Sequence, residues 1–168
     1  MKCPSCDHEN IQGHEFCDNC GLDLAGLDME TLDVDPAEPA LARPIDSLAV
    51  KTPVMVSEET TVSAAVKAMH EHHQGCVFVI DHRQGLLGVF TERDLTVRVA
   101  AHGRDPETTH IKDVMTPRPV SLRPQDPLAW ALHRMGVDGY RHLPIVDEAR
   151  LIGVLSARVV LAALAEER

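Results

Sequence analysis

Aromatic residues are scarce in this chain of 168: three Phe, one Tyr and one Trp. Any core must therefore be assembled from Val, Leu, Ile, Ala and Met. Long apolar runs are missing as well. No stretch approaches the roughly 18–20 consecutive apolar residues that a membrane span needs. The opening "MKCPSCDHEN" has no apolar signal-peptide centre. These absences predict a soluble cytoplasmic protein with no membrane partner. Positive charge is the third shortage: 16 Lys and Arg face 26 Asp and Glu, a formal net charge of −10. Phosphate binding depends on clustered cations, so the balance argues against a nucleic-acid partner. Its simplest meaning is solubility. No Ser-His-Asp or Cys-His constellation, phosphate-binding Gly-rich loop or paired-carboxylate arrangement stands out, so nothing supports an enzyme.

Cysteine is concentrated. Cys3, Cys6, Cys17 and Cys20 fall in "CPSC" and "CDNCG", and Cys76 stands alone. In a reducing compartment such a group reads as a metal site rather than a disulfide framework. Two Cys-x2-Cys knuckles suit tetrahedral zinc, each closing a tight turn around the metal. The glycine after Cys20 eases that turn. The pattern resembles a short four-cysteine zinc ribbon, structural because no coordination position is left open, and folding with its metal. Iron is the alternative, and colour would tell them apart. His8 and His14 are read as loop residues. The acids around the knuckles (Asp7, Glu9, Glu15, Asp18) suit protein docking better than nucleic acid. Cys76 precedes an apolar run and is expected to be a core residue, not a reactive thiol. "HEHH" at 70–73 is read as a solvated helix end rather than a metal cluster.

Three segments follow: a ribbon at 1–22, an acidic Pro/Ala linker at 23–44, and a repeat from 45 onward. The linker carries too little apolar payload to offset the entropy of ordering, although a short helix around Met29 to Leu32 is compatible with it. Within the repeat Pro53 falls on Pro119, Met69 on Met135, Asp81 on Asp147 and, after a one-residue gap, Gly88 on Gly153. Each copy runs strand ("TPVMV", "RPVSL"), helix ("TVSAAVKAMHEH", "PLAWALHRMGV"), two strands ("CVFVID" then "GLLGVF"; "HLPIVD" then "RLIGVL") and a closing helix from Thr91 or Ser156. The first helix rests on Val62, Ala65, Val66 and Met69 at helical spacing. The strands rest on β-branched runs bounded by Asp, Gly and Pro. Copies of roughly 60 residues each bury too little surface to stand alone and are expected to pair. The fold class is α+β, with the copies at 45–106 and 107–168.

A tandem β-α-β-β-α unit with "GVFTERD" closing one copy and "DVMTPRPVSL" opening the next resembles a CBS domain pair, or Bateman module. The resemblance runs from near Ile45 to near Leu164. It implies a pseudo-twofold disc with two clefts for adenine nucleotides or adenosyl ligands, a regulatory role, and a homodimer. In "GVFTERD" Thr91 falls at a helix N-cap and Asp94 at N3, where both could simply satisfy backbone N–H groups. The same acid, if exposed, could accept both ribose hydroxyls. By resemblance Thr91 and Asp94 are the ribose-side residues, and Arg93 could meet a phosphate. Met115, Thr116 and Pro119 are expected from the second copy, with Tyr140 for stacking and Arg141 and His142 against phosphate. Tyr140 could instead be an ordinary half-buried aromatic. "GVLSARV" offers Ser156 as a cap but Val159 where the acid would be, facing only Gln74 and Gly75. One competent cleft is therefore expected, for AMP, ADP, ATP or S-adenosylmethionine, with an unknown protein target. The alternatives are a ligand-free scaffold or, more remotely, a zinc-ribbon nucleic-acid-binding regulator.

Overall fold

The computed structural model describes residues 2–3, 8–11, 17–19 and 39–165. The chain divides into two compact units: Pro53–Pro119, and a second that joins Met1–Thr52 to Val120–Arg168. Each contains most of one repeat, so they are the first-copy and second-copy units. The Met29–Leu32 segment lies outside the described residues. The end of the expected linker does not behave as one: Pro39–Ala42 forms a short helix (α1). Beyond it the Ile45 N–H donates to the Asp126 carbonyl at 3.0 Å and the Leu128 N–H to the Arg43 carbonyl at 2.8 Å. The reason lies just past the acidic stretch, where Ile45 and Leu48 enter the second-copy core.

In the first-copy unit β1 (Met55–Ser57) runs parallel to β2 (Cys76–Ile80). Parallel neighbours need a crossover, and α2 (Val62–Glu71) supplies it. The Thr61 hydroxyl caps α2 by accepting from the Ala64 N–H at 3.3 Å, while Val62, Ala65 and Met69 are buried as the periodicity predicts. β3 (Leu86–Thr91) returns antiparallel to β2. The closing helix departs from the simple expectation. A three-residue turn, α3 (Glu92–Asp94), widens into a π turn at Leu95–Val99 and ends in a 3-10 turn at Ala100–His102. The fourth strand is short: β4 (Thr116–Pro117) pairs antiparallel with β3.

The second-copy unit holds α4 (Leu128–Val137), β5 (His142–Asp147), β6 (Arg150–Ser156) and α5 (Ala157–Ala165). β5 and β6 form a hairpin. Leu122 lies alongside β5 as a single parallel bridge, where the sequence predicted a fuller strand. Lys51 completes the far side of β6, exchanging both backbone hydrogen bonds with Val154 at 3.1 and 3.0 Å. The last strand of each copy is thus partnered by a segment from the start of the other copy. Met115 and Thr116, at the start of the second copy in sequence, thus stand beside β3 of the first.

Two features of the second-copy unit carry measurable strain. The β5–β6 turn places Glu148 and Ala149 at φ 44° and 65°, a left-handed pair that favours Asn-Gly. Ala149→Gly is expected to stabilise this unit by about 1 kcal/mol, read as a raised denaturation midpoint. Ser121 is fully buried and its hydroxyl has no hydrogen-bond partner among the described residues. Ser121→Ala removes an unpaired buried group and is expected to gain about 1 kcal/mol. A loss of stability in urea titration would contradict that.

Candidate functional site

The "TERD" stretch folds as a reciprocal cap. The Thr91 hydroxyl accepts from the Asp94 N–H at 3.3 Å, and Asp94 Oδ2 accepts from the Thr91 N–H at 2.9 Å and the Thr91 hydroxyl at 2.7 Å. This is a capping box, with an aspartate where glutamate is commoner. Expectation and structure differ on exposure: Asp94 is only 8% exposed. The short aspartate side chain folds back over its own helix start, which draws the carboxylate inward. Its second oxygen is less committed. Oδ1 lies 3.3 Å from Arg98 Nε and 3.5 Å from the Thr116 hydroxyl.

Arg98 was not among the residues the sequence singled out. Its Nη1 donates to the carbonyls of Val114, at 3.1 Å, and Met115, so one guanidinium ties Asp94 to the approach to β4. Gly88 on β3 makes that approach possible: a Cβ there would stand 2.4 Å from the Met115 sulfur and 3.0 Å from the Thr116 carbonyl oxygen. Thr91, Asp94, Met115 and Thr116 are therefore brought together in the first-copy unit. Arg93 is in the same unit but exposed, and Pro119 is buried at its end.

Tyr140, Arg141 and His142 belong to the second-copy unit. His142 opens β5 opposite Ser156, and the Arg141 carbonyl accepts from the Ala157 N–H at 3.0 Å. Tyr140 packs against the core there, so part of its ring is used for packing rather than left for stacking. At the second "GVLSARV" the Ser156 hydroxyl accepts from the Val159 N–H at 3.4 Å, as expected of a surviving cap. Val159 itself packs on the core. Lys51 stands where the first copy has Thr116, and Ala163 where it has Arg98. The second copy thus keeps the cap and has neither the acid nor the guanidinium at the matching positions.

Of the predicted metal ligands, Cys6 and Cys20 lie outside the described residues. Cys3 and Cys17 are buried and in no disulfide. The Cys3 N–H donates to the His8 carbonyl at 2.9 Å. Asn10, also buried, donates its amide to the His8 carbonyl at 3.0 Å and to Cys17 Sγ at 3.5 Å, and accepts from the Asp18 N–H at 2.9 Å. A neutral thiol is a weak acceptor, so a buried amide turned to Cys17 suits a thiolate. Among the described residues no three His, Cys, Asp or Glu form a metal-holding group. Arg123 Nη2 also donates to the Lys2 carbonyl at 3.0 Å, which fastens the start of the chain to the second-copy unit.

Cys76 opens β2 fully buried, and burial, aided by the charge of Glu92, pushes its thiol up to about 12. In the native protein at pH 8 it is expected to resist Ellman's reagent and to react only as the chain unfolds. Rapid native labelling at Cys76 would show the first copy opening there. His70 and His73 are exposed at the end of α2, their rings 6.4 Å apart edge to face. No helix among the described residues is long and apolar enough to cross a membrane.

The chain matches the CBS domain family twice, over residues 45–101 and 111–166. It is 33% identical over 104 residues to the uncharacterized protein MK0525 of Methanopyrus kandleri, covering 61% of this chain and 53% of that one. The mitochondrial CBS domain-containing protein CBSX3 of Arabidopsis thaliana is 30% identical over 113 residues, 65% of this chain and 55% of its own. The match thus spans about half the length of these curated relatives. The CBS domain-containing protein YhcV of Bacillus subtilis is 36% identical over 102 residues, 60% of this chain and 71% of that one. Among solved structures, the CBS-domain protein ATU1752 of Agrobacterium tumefaciens superposes with a TM-score of 0.63 at 29% identity, covering 68% of this chain and 90% of that one. Two family matches on the two halves of the repeat, each with its own hairpin and leading helix, make this chain a member of the CBS domain family carrying a tandem pair.

Proposed function

We propose that the chain is a regulatory module that binds one adenosine-type ligand, AMP, ADP, ATP or S-adenosylmethionine, through the first copy's Thr91–Asp94 turn. CBS domains are generally regulatory modules for adenosine ligands. The observation that carries the single-site reading is the contrast between Asp94 and Val159 on otherwise matching caps. Asp94 Oδ2 is saturated by Thr91, so Oδ1 is the oxygen available to a ribose hydroxyl. Thr91 then acts by holding Asp94, and Thr116 and Met115 line the same edge. Arg93 and Pro119 are further candidates in the same unit, as Tyr140, Arg141 and His142 are in the other. Cys3, Cys6, Cys17 and Cys20 hold a structural zinc, and the Asn10 amide on Cys17 supports that assignment. A homodimer acting on a protein target in the cytoplasm completes the reading.

Calorimetry with AMP, ADP, ATP and S-adenosylmethionine tests it. One site per chain is expected, lost in Asp94→Asn. Two equivalent sites, or native affinity in that variant, would overturn it. The burial of Asp94 favours one competing reading, a ligand-free scaffold. Under that reading, millimolar nucleotide would leave the melting temperature unchanged. For the ribbon, about one zinc per chain by elemental analysis is expected, and metal-free protein from a chelator-free preparation would remove zinc from the reading.

A further inference from the structure

We infer that Arg98 is the donor half of a hydroxyl-reading pair with Asp94, and that the pair selects a ligand for its ribose hydroxyls; this rests on the adenosine reading above. Arg98 Nη1 is committed to the carbonyls of Val114 and Met115, and Nε faces Asp94 Oδ1 at 3.3 Å. Nη2 lies on the same edge as Nε, and its two N–H groups have no partner among the described residues. The Arg98 side chain is 40% exposed.

An acceptor and a free donor therefore stand side by side. A carboxylate oxygen alone accepts from any donor, including an ammonium. A guanidinium alone serves any anion, including a phosphate. Together they match a group that donates one hydrogen bond and accepts another, which is a hydroxyl. The Thr116 hydroxyl, 3.5 Å from the same Oδ1, already places one alcohol at this edge. The π turn at Leu95–Val99 holds Arg98 in this position, and such turns recur at functional sites. Both members are absent from the second copy, where Val159 and Ala163 take their places. Arg98 reaches the acid through a fork that lysine cannot reproduce.

The test measures AMP and ATP, each beside its 2′-deoxy and 3′-deoxy analogues, by calorimetry on the native chain, Arg98→Met and Arg98→Lys. The native chain is expected to favour the full ribose over at least one deoxy analogue by about tenfold. Arg98→Met is expected to weaken the parent nucleotide about tenfold and leave that analogue unchanged, so the preference collapses. A merely structural Arg98 would weaken all the ligands alike and keep the ratio. That result, or a native chain indifferent to the deoxy change, overturns the role of Arg98 while sparing the adenosine reading. A native chain that binds none of the nucleotides overturns both. If Arg98→Met does not fold, Arg98→Lys makes the same comparison, because it keeps a cation for the carbonyls and loses the fork.

Discussion

Replacing Asp94 with alanine is expected to cost the first-copy unit about 2–3 kcal/mol and to weaken adenosine-ligand binding by about a hundredfold or more. The stability figure follows from what the carboxylate does. It accepts from both the N–H and the hydroxyl of Thr91 and faces Arg98. Loss of the carboxylate's half of the capping box costs roughly 1 kcal/mol, and the part-buried Thr91 N–H left unpaired adds about 1–2 more. The ion pair adds little, because Arg98 is partly exposed. The binding figure follows from removing the one carboxylate that could receive a ribose hydroxyl, since hydrogen bonds to charged groups are the stronger kind. Asp94→Asn separates the two jobs. Its amide oxygen can still accept from Thr91, so only about 1 kcal/mol should be lost, while the ligand defect persists. Urea denaturation and calorimetry on the same two variants check both halves. Full stability in Asp94→Ala would refute the capping role, and native affinity in Asp94→Asn would refute the ligand role.

Much of the architecture was legible because its signals are local and repeated. Val62, Ala65 and Met69 mark the buried face of α2, and the runs at Cys76–Ile80 and His142–Asp147 are bounded by Gly or Asp and appear in both copies. The cap at Thr91 and Asp94 could be read from spacing alone. The side on which Asp94's carboxylate lies could not, because a cap and a ligand acid share the same sequence. Arg98 was missed because an arginine four residues after an aspartate reads as a surface helical pair; its hold on Val114 and Met115 is a contact across the chain. The exchange of leading segments was invisible for a different reason. A two-residue strand such as Thr116–Pro117, or the single bridge at Lys51, has no period to detect. Asn10 likewise carries no motif, and its importance emerges only where it joins His8, Cys17 and Asp18.

The two repeat glycines provide the sharper test of how the copies diverged. Gly88 and Gly153 occupy the same place in sequence, yet the space above them differs. A Cβ at Gly88 would stand 2.4 Å from the Met115 sulfur, 3.0 Å from its Cγ and 3.0 Å from the Thr116 carbonyl oxygen. The methionine can swing aside; the backbone carbonyl cannot move without loosening β4 from β3. At Gly153 the nearest atoms, on Val50, lie at 3.4 and 3.5 Å, which is ordinary contact. Gly88→Ala is therefore expected to cost about 2 kcal/mol by overpacking. Gly153→Ala should be neutral or should gain about 0.5 kcal/mol from the reduced freedom of the unfolded chain. The functional effects should diverge in the same way. Gly88→Ala moves Met115 and Thr116 beside Asp94 and is expected to weaken nucleotide binding severalfold, whereas Gly153→Ala leaves it intact. Equal costs at the two glycines would mean that β4 does not press on Gly88 as the structure places it. Unequal stability with equal binding would detach Met115 and Thr116 from the ligand, leaving Asp94 and Arg98 to hold it alone.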